Sequence, residues 1–322
     1  MIVSLGEEQQ RFNLEVRLTT KCNYDCYYCT DLHQNKNPIT QLNADNVCSM
    51  IGSISKVIKR PIYLFIYGGE PTLYTHLNSF LDSVLAYCTV NRINISIDFL
   101  TNLSRSEDWF SSFCSRYAKY SNIFKISCSF HNTQTELPLF LGKCITIKNL
   151  NLLGKITFMY NSRKCVMGSF NIAASMLGIE YCEISPLIDC KVNRVESDVD
   201  ELAYLQKTED IYKLATHSLF FDKTIKCQTD PYTVSSVSKF ELWLNNKTNF
   251  LGYKCSVAKD RIIIDWDGNC YRCISEIFSF AKPLFNINTP YNYDNYFTTV
   301  ADVICPFKKC VFDLEYKRVK VK

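Results

Sequence analysis

The sequence predicts an α/β fold: an open or partial barrel of six β–α units, followed by a smaller region of different character. Three observations predict it. Strand-like apolar runs recur at Phe12–Thr19, Ile62–Tyr67, Ile93–Leu100, Ile123–Phe130, Lys155–Tyr160 and Tyr181–Ile184. Helix-like stretches lie between them, near 43–59, 76–90, 107–119, 136–149 and 165–178, and another near 199–217 closes the series. After about residue 215 the helical periods give way to isolated cysteines and a strand–turn–strand signal.

Strands alternating with helices imply a parallel sheet with helical crossovers. Six units suit a partial barrel better than a closed eightfold one, and sites in such folds gather at the C-terminal ends of the strands. In the last third, Arg261–Ile264 runs into Asp265-Trp266-Asp267-Gly268-Asn269. Asp-Gly between apolar strands is a hairpin signal. The change of pattern places a boundary near 215–225. No internal repeat or low-complexity segment interrupts the chain.

The composition is that of a globular protein, with 322 residues, 47% hydrophobic and 21% charged. A net charge of +4 demands neither nucleic acid nor an acidic membrane as partner. The basic end, Lys317-Arg318 with Lys320 and Lys322, reads as a solvated tail. Only 4 histidines are present, which disfavours a centre built on several imidazoles. Seventeen cysteines are the outlier. No signal peptide is expected from Met1–Gln10, and no run of about 18 apolar residues suggests a membrane span. The expected location is a reducing cytoplasm, with thiols used as cluster ligands or buried as small hydrophobes.

Cys22, Cys26 and Cys29 fall just after the first predicted strand, in Lys21-Cys22-Asn23-Tyr24-Asp25-Cys26-Tyr27-Tyr28-Cys29. Such a loop can wrap a cube of iron and sulfide, one thiolate per iron, leaving the fourth iron for an external ligand. S-adenosylmethionine (SAM) can fill it through its amino and carboxylate groups. An electron entering the sulfonium then yields methionine and a 5′-deoxyadenosyl radical able to take hydrogen from an unactivated C–H bond. Zinc is the competing reading, but zinc sites usually add a second Cys or His pair, and only His33 lies close by.

The C-x3-C-x2-C run, with aromatic Tyr28 before its last cysteine, resembles the signature of the radical SAM superfamily. The resemblance implies a partial (β/α)6 barrel, a [4Fe–4S] cluster held by the three cysteines and SAM, and an adenine contact from the backbone of Tyr28. The second strand ends in Tyr67-Gly68-Gly69-Glu70-Pro71-Thr72. Paired glycines let a backbone approach a ligand closely, and Glu70 can accept from the SAM ammonium. Gly68, Gly69, Glu70 and Pro71 are similar to the family's methionine-binding motif. Thr101-Asn102, and Ser127 with Ser129 in Ser127-Cys128-Ser129-Phe130-His131, end later strands with groups suited to ribose hydroxyls or to plain capping. Ser185-Pro186-Leu187 ends the sixth, at the level where related enzymes pack adenine, which makes Ser185 and Leu187 candidates.

The C-terminal third resembles the SPASM/twitch domains appended to many such enzymes, a small α+β unit of hairpin plus helix holding an auxiliary [4Fe–4S] cluster. The division implied is 1–215 for the barrel and 216–322 for a linker and this iron–sulfur domain. The ligand set implied is Cys255, Cys273, Cys305 and Cys310, with Cys270 spare because side chains alternate along a hairpin. No cysteine lies between Cys273 and Cys305, a departure toward the one-cluster twitch form. Four-thiolate zinc would use the same residues. The other cysteines have no ligand spacing and read as buried thiols.

The leading expectation is modification of a ribosomally made peptide by crosslink, thioether or epimerisation. The barrel starts by about residue 12, so a separate leader-recognition protein or direct capture by the barrel mouth is expected. A low-potential donor such as flavodoxin or ferredoxin would supply electrons. A radical dehydrogenase or rearrangement enzyme acting on an aminosugar or cyclitol is the alternative. From another class, a non-catalytic iron–sulfur or zinc protein would lack the Gly-Gly-Glu element that this chain carries. Asp98, Glu183, Asp189 and Asp265 are unranked acid–base candidates.

Overall fold

The computed structural model describes residues 4–5, 9–26, 29, 42–160, 167–186, 188–189, 194–195, 224–228, 234–238, 249–308, 310 and 316–320. The expected helix near 199–217 lies outside them. The chain forms two compact units: residues 1–21, 36–97 and 223–322 make the first, and residues 22–35 and 98–222 the second.

In the first unit, β1 (Ser4–Leu5) precedes β2 (Phe12–Arg17), α1 (Ala44–Val57), β3 (Ile62–Tyr67) and α2 (Leu77–Val90). β2 and β3 pair in parallel from Phe12↔Ile62 to Arg17↔Tyr67. Alternation decides what they bury: Phe12, Leu14 and Val16 are 0% exposed on β2, as are Leu64 and Ile66 on β3. Asn43 caps α1, its side chain accepting from the Asp45 and Asn46 amides at 2.9 and 3.1 Å. β4 (Ile95–Thr101) runs from this unit into the second.

The second unit continues with α3 (Glu107–Tyr117), β5 (Phe124–Phe130), α4 (Leu137–Asn149), β6 (Leu153–Tyr160), α5 (Met167–Leu177) and β7 (Cys182–Pro186). β5, β6 and β7 pair in parallel, followed by a small ribbon of β8 (Ile188–Asp189) and β9 (Arg194–Val195). Phe130 and Phe158 are buried side by side with ring centroids 5.5 Å apart, and meet Phe140 of α4 and Phe170 of α5. Each fully buried aromatic contributes about 1.5–3 kcal/mol of transfer free energy. The opposite face carries Ser129, Thr157 and Glu183 in register across the three strands.

The mostly parallel sheet of six strands with its helices is a partial barrel, with a small antiparallel sheet toward the C-terminus. That smaller sheet gathers β1, β10 (Thr224–Gln228), β11 (Val234–Ser238), β12 (Tyr253–Cys255), β16 (Val303–Ile304) and β17 (Arg318–Lys320). β13 (Arg261–Ile264), β14 (Asn269–Tyr271) and β15 (Phe285–Asn286) form the expected hairpin and its neighbour. The turn holds Gly268 at φ +82°, a left-handed conformation that favours glycine. One pairing had no sequence signal: β13 joins β2 in parallel, from Arg261↔Asn13 to Ile264↔Val16.

The C-terminal basic segment is not a solvated tail. Arg318 is 1% exposed, because β17 pairs with both β1 and β12 and turns alternate side chains inward. Lys320 is exposed, as read from the sequence. Cys48, Cys88, Cys114, Cys128, Cys144 and Cys182 are buried. Burial pushes the Cys48 thiol up to about 11 and the Cys88, Cys114 and Cys182 thiols up to about 12, so they stay protonated and inert. Among the described residues, no helix is long and apolar enough to cross a membrane.

Candidate active site and metal centres

The strand β2 leads into the first cysteine loop, and the loop after β3 holds that lead in place. The Gly69 amide donates to the Thr19 carbonyl and the Glu70 amide to the Lys21 carbonyl, each at 2.7 Å. The fit depends on missing side chains. A Cβ on Gly68 would stand 2.5 Å from the Thr19 oxygen, and one on Gly69 2.3 Å from the Lys21 oxygen. Glu70 is 0% exposed, and its Oε1 accepts from the Thr72 amide at 3.0 Å, capping the single turn Pro71–Leu73.

Beyond Lys21 the cysteine loop is tied to the ends of β4 and β5. Asn102 Nδ2 lies 3.4 Å from Asn23 Oδ1 and 3.8 Å from Cys22 Sγ, while the Ser104 hydroxyl donates to Asn23 Oδ1 at 2.9 Å. The Asp25 amide donates to Gln134 Oε1, and Gln134 Nε2 donates back to the Asp25 carbonyl, both at 3.3 Å. Cys26 is 5% exposed with its Sγ 3.5 Å from His131 Nδ1. Burial pushes His131 down to about 4, so the ring is neutral near pH 7. Cys22 and Cys29 are half-buried, and the Cys29 amide donates to the Cys26 carbonyl at 2.9 Å. Three thiols therefore share one loop whose anchors come from the C-terminal ends of successive strands.

A second thiol set lines one cavity in the C-terminal region. Cys255, Cys273, Cys305 and Cys310 stand around it, with Arg318 and the Arg272–Glu276 pair. Cys255 ends β12, Cys273 caps the short helix Ile274–Phe278, and Cys305 follows β16. Burial pushes Cys273 up to about 12 and raises Cys255, where Arg318 opposes the rise. Arg318 Nη2 donates to Cys310 Sγ at 3.0 Å. The four thiols face one cavity from β12, the start of the short helix and the segment after β16. Four sulfur donors fit a cluster in which each thiolate takes its own iron. Cys270, fully buried on the hairpin with its Sγ 3.8 Å from the Gly268 carbonyl, does not line this cavity.

No family model and no curated protein matches the chain. Solved structures do. Hexahistidine-tagged anSMEcpe with bound AdoMet superposes with a TM-score of 0.57 at 14% identity, over 89% of this chain and 82% of that one. Native anSMEcpe with bound AdoMet and Kp18Cys peptide gives 0.56 at 16% identity, with the same coverage. SuiB of Streptococcus suis bound to the precursor peptide SuiA gives 0.62 at 14% identity, over 89% of this chain and 64% of SuiB. The chain has the fold of radical SAM enzymes.

Within that fold the remaining sequence candidates divide. Asn102 reaches the cysteine loop, whereas Thr101 Oγ1 accepts from the Leu103 amide at 3.1 Å as a turn cap. Ser127 Oγ accepts from the Lys155 amide at 3.1 Å and serves strand pairing. Ser129 and Ser185 are half-buried on the face opposite the α4 and α5 contacts. Tyr28 and Leu187 lie outside the described residues, and Pro71 is buried within its turn. Among the acids, Glu183 accepts from Thr157 Oγ1 at 2.7 Å on that same face. Asp265 is spent on its turn, accepting from the Asp267 and Asn269 amides at 2.9 and 2.8 Å. Sequence reasoning passed over Ser104 and Gln134 and read Arg318 as part of a solvated tail. Distance along the chain from the N-terminal cysteines hid the first two, and Arg318 was hidden by the basic stretch around it.

Proposed function

We propose that this chain is a radical SAM enzyme acting on a peptide, with one [4Fe–4S] cluster on Cys22, Cys26 and Cys29 and a second on Cys255, Cys273, Cys305 and Cys310. The observation that carries this is the cysteine loop: three thiols, tied by Asn102, Ser104 and Gln134 to strand ends, in a fold shared with proteins solved with AdoMet bound. When bound there, the cluster supplies the electron that splits the SAM sulfonium into methionine and a 5′-deoxyadenosyl radical.

The chain's own groups divide the remaining tasks. Gly68 and Gly69 let the loop after β3 close onto the cysteine lead, and this loop is the proposed seat of the methionyl end of SAM. His131 stands beside Cys26, with Nδ1 3.5 Å from its Sγ. Glu183, Ser129 and Ser185 offer polar contacts on the helix-free face. A peptide is favoured as substrate because anSMEcpe and SuiB are both solved with peptides bound. A flavodoxin- or ferredoxin-type donor and, if a leader must be read, a separate recognition protein complete the system.

Anaerobic reconstitution followed by iron and sulfide counting tests this directly. The expected content is about eight irons per chain, with 5′-deoxyadenosine formed from SAM only when dithionite is present. Cys26→Ala with Cys29→Ala abolishes that product while the circular dichroism spectrum is kept. Bound zinc without SAM cleavage would sink the reading.

A further inference from the structure

Arg318 occupies an unusual position for a guanidinium. It is 1% exposed, yet it sits among the thiols of the C-terminal cavity. Its Nη2 donates to Cys310 Sγ at 3.0 Å and its Nη1 to the Tyr316 carbonyl at 2.9 Å. Strand register puts it directly opposite Cys255 on the neighbouring strand β12, where facing side chains are in contact range. The Phe250 ring lies 5.1 Å from its Cζ and fixes the plane of the fork. One cation thus touches one of the four thiols and faces a second. The other cation of the cavity, Arg272, is committed to Glu276, with Nε donating to Oε1 at 2.6 Å. That pair contributes little net charge.

We propose that Arg318 is a positioning residue that raises the reduction potential of the cluster held by Cys255, Cys273, Cys305 and Cys310. This rests on the two-cluster reading above. Reduction adds one electron and no proton, so the reduced cluster carries one more negative charge than the oxidised one. A fixed cation in a low-dielectric site, hydrogen-bonded to a ligand sulfur, stabilises the reduced form more. A raised potential suits a site that takes the electron left on a substrate radical.

The test is a dithionite redox titration followed by electron paramagnetic resonance, on full-length protein carrying Cys26→Ala and Cys29→Ala so that only the C-terminal cluster reports. Arg318→Gln is expected to lower the reduced-to-oxidised ratio at fixed potential at least tenfold, which is 59 mV for one electron. Arg318→Lys, which keeps the charge, is expected to shift it less. An unchanged midpoint in Arg318→Gln with its iron retained overturns the inference and leaves the two-cluster reading intact. If Arg318→Gln does not fold, pulsed resonance on reduced protein containing 15N-arginine decides. A guanidinium nitrogen coupling is required, and its absence overturns the inference. Iron for only one cluster in the unmutated protein would instead sink the reading on which the inference stands.

Discussion

Gly69 shows how much of the site is set by single atoms. The carbonyls of Thr20 and Lys21 crowd the place a Cβ would take, with oxygens at 2.7 and 2.3 Å, and backbone cannot swing aside as a side chain can. Gly69→Ala is expected to cost about 1–3 kcal/mol of stability, as overpacking does, and to cut 5′-deoxyadenosine formation at least tenfold. Urea denaturation and a SAM-cleavage assay measure the two effects, and a variant with normal cleavage would remove the Gly-Gly-Glu loop from the proposed SAM site. Asn102 makes the complementary case. It is 6% exposed and bridges the β4 end to Asn23 and Cys22. Asn102→Ala removes this bridge and leaves Asn23 only the Ser104 hydroxyl as donor, a loss of about 0.5–1.5 kcal/mol for one hydrogen bond. It is expected to lower iron retention at the first site while the second keeps its iron, as iron counting after gel filtration would show. These residues differ in how legible they were. The glycines and cysteines declare themselves by spacing. Arg318 does not, because a strand at the end of a basic stretch looks like a solvated tail until its pairing partners are known.

Between elements, one parallel pairing is not announced by the sequence. The period-two runs of β2 to β7 were readable because each strand buries one row of apolar side chains and the helices between them carry their own period. The parallel pairing of β13 with β2 joins residues about 250 positions apart, and no local pattern records it. What secures it is polar and buried. Arg261 Nη2 meets Glu15 Oε1 at 2.6 Å, and the Tyr67 hydroxyl donates to Glu15 Oε2 at 2.9 Å. Burial works against the Arg261 charge, and Glu15 beside it more than restores it. Burial and then Glu15 push the Tyr67 hydroxyl well above its usual range. Glu15→Ala would leave Arg261 with its charge uncompensated, a loss of about 3–5 kcal/mol. Glu15→Leu combined with Arg261→Met is expected to recover most of it, since a well-packed apolar pair replaces a buried ion pair at little cost. Urea denaturation of the three proteins checks both statements, and equal stability of Glu15→Ala and the unmutated chain would show that the ion pair does not hold the two strands.

For the whole molecule, the C-terminal third is part of the structure that carries β2, since one compact unit draws on residues 1–21, 36–97 and 223–322. Phe12, fully buried, rests edge-on against Phe297 with ring centroids 5.5 Å apart. Asn13 on β2 donates to the Tyr316 hydroxyl at 3.0 Å. Ile262, Ile263, Ile264 and Ile287 are all 0% exposed. Those four side chains and Phe297, at about 1.5–3 kcal/mol each, amount to roughly 8–15 kcal/mol. That is comparable with the whole stability of an ordinary domain, about 5–15 kcal/mol. Removing them would also open the edge of β2, an unpaired apolar strand prone to association. A chain ended at Asp222 is therefore expected to lose cooperative unfolding and to aggregate, even though it keeps all three N-terminal cysteines and the Gly-Gly-Glu loop. Gel filtration and thermal denaturation of the truncated chain decide the matter. A monomeric fragment melting in one sharp step would mean that the strands β2 to β7 are self-sufficient and that β13 merely leans on them.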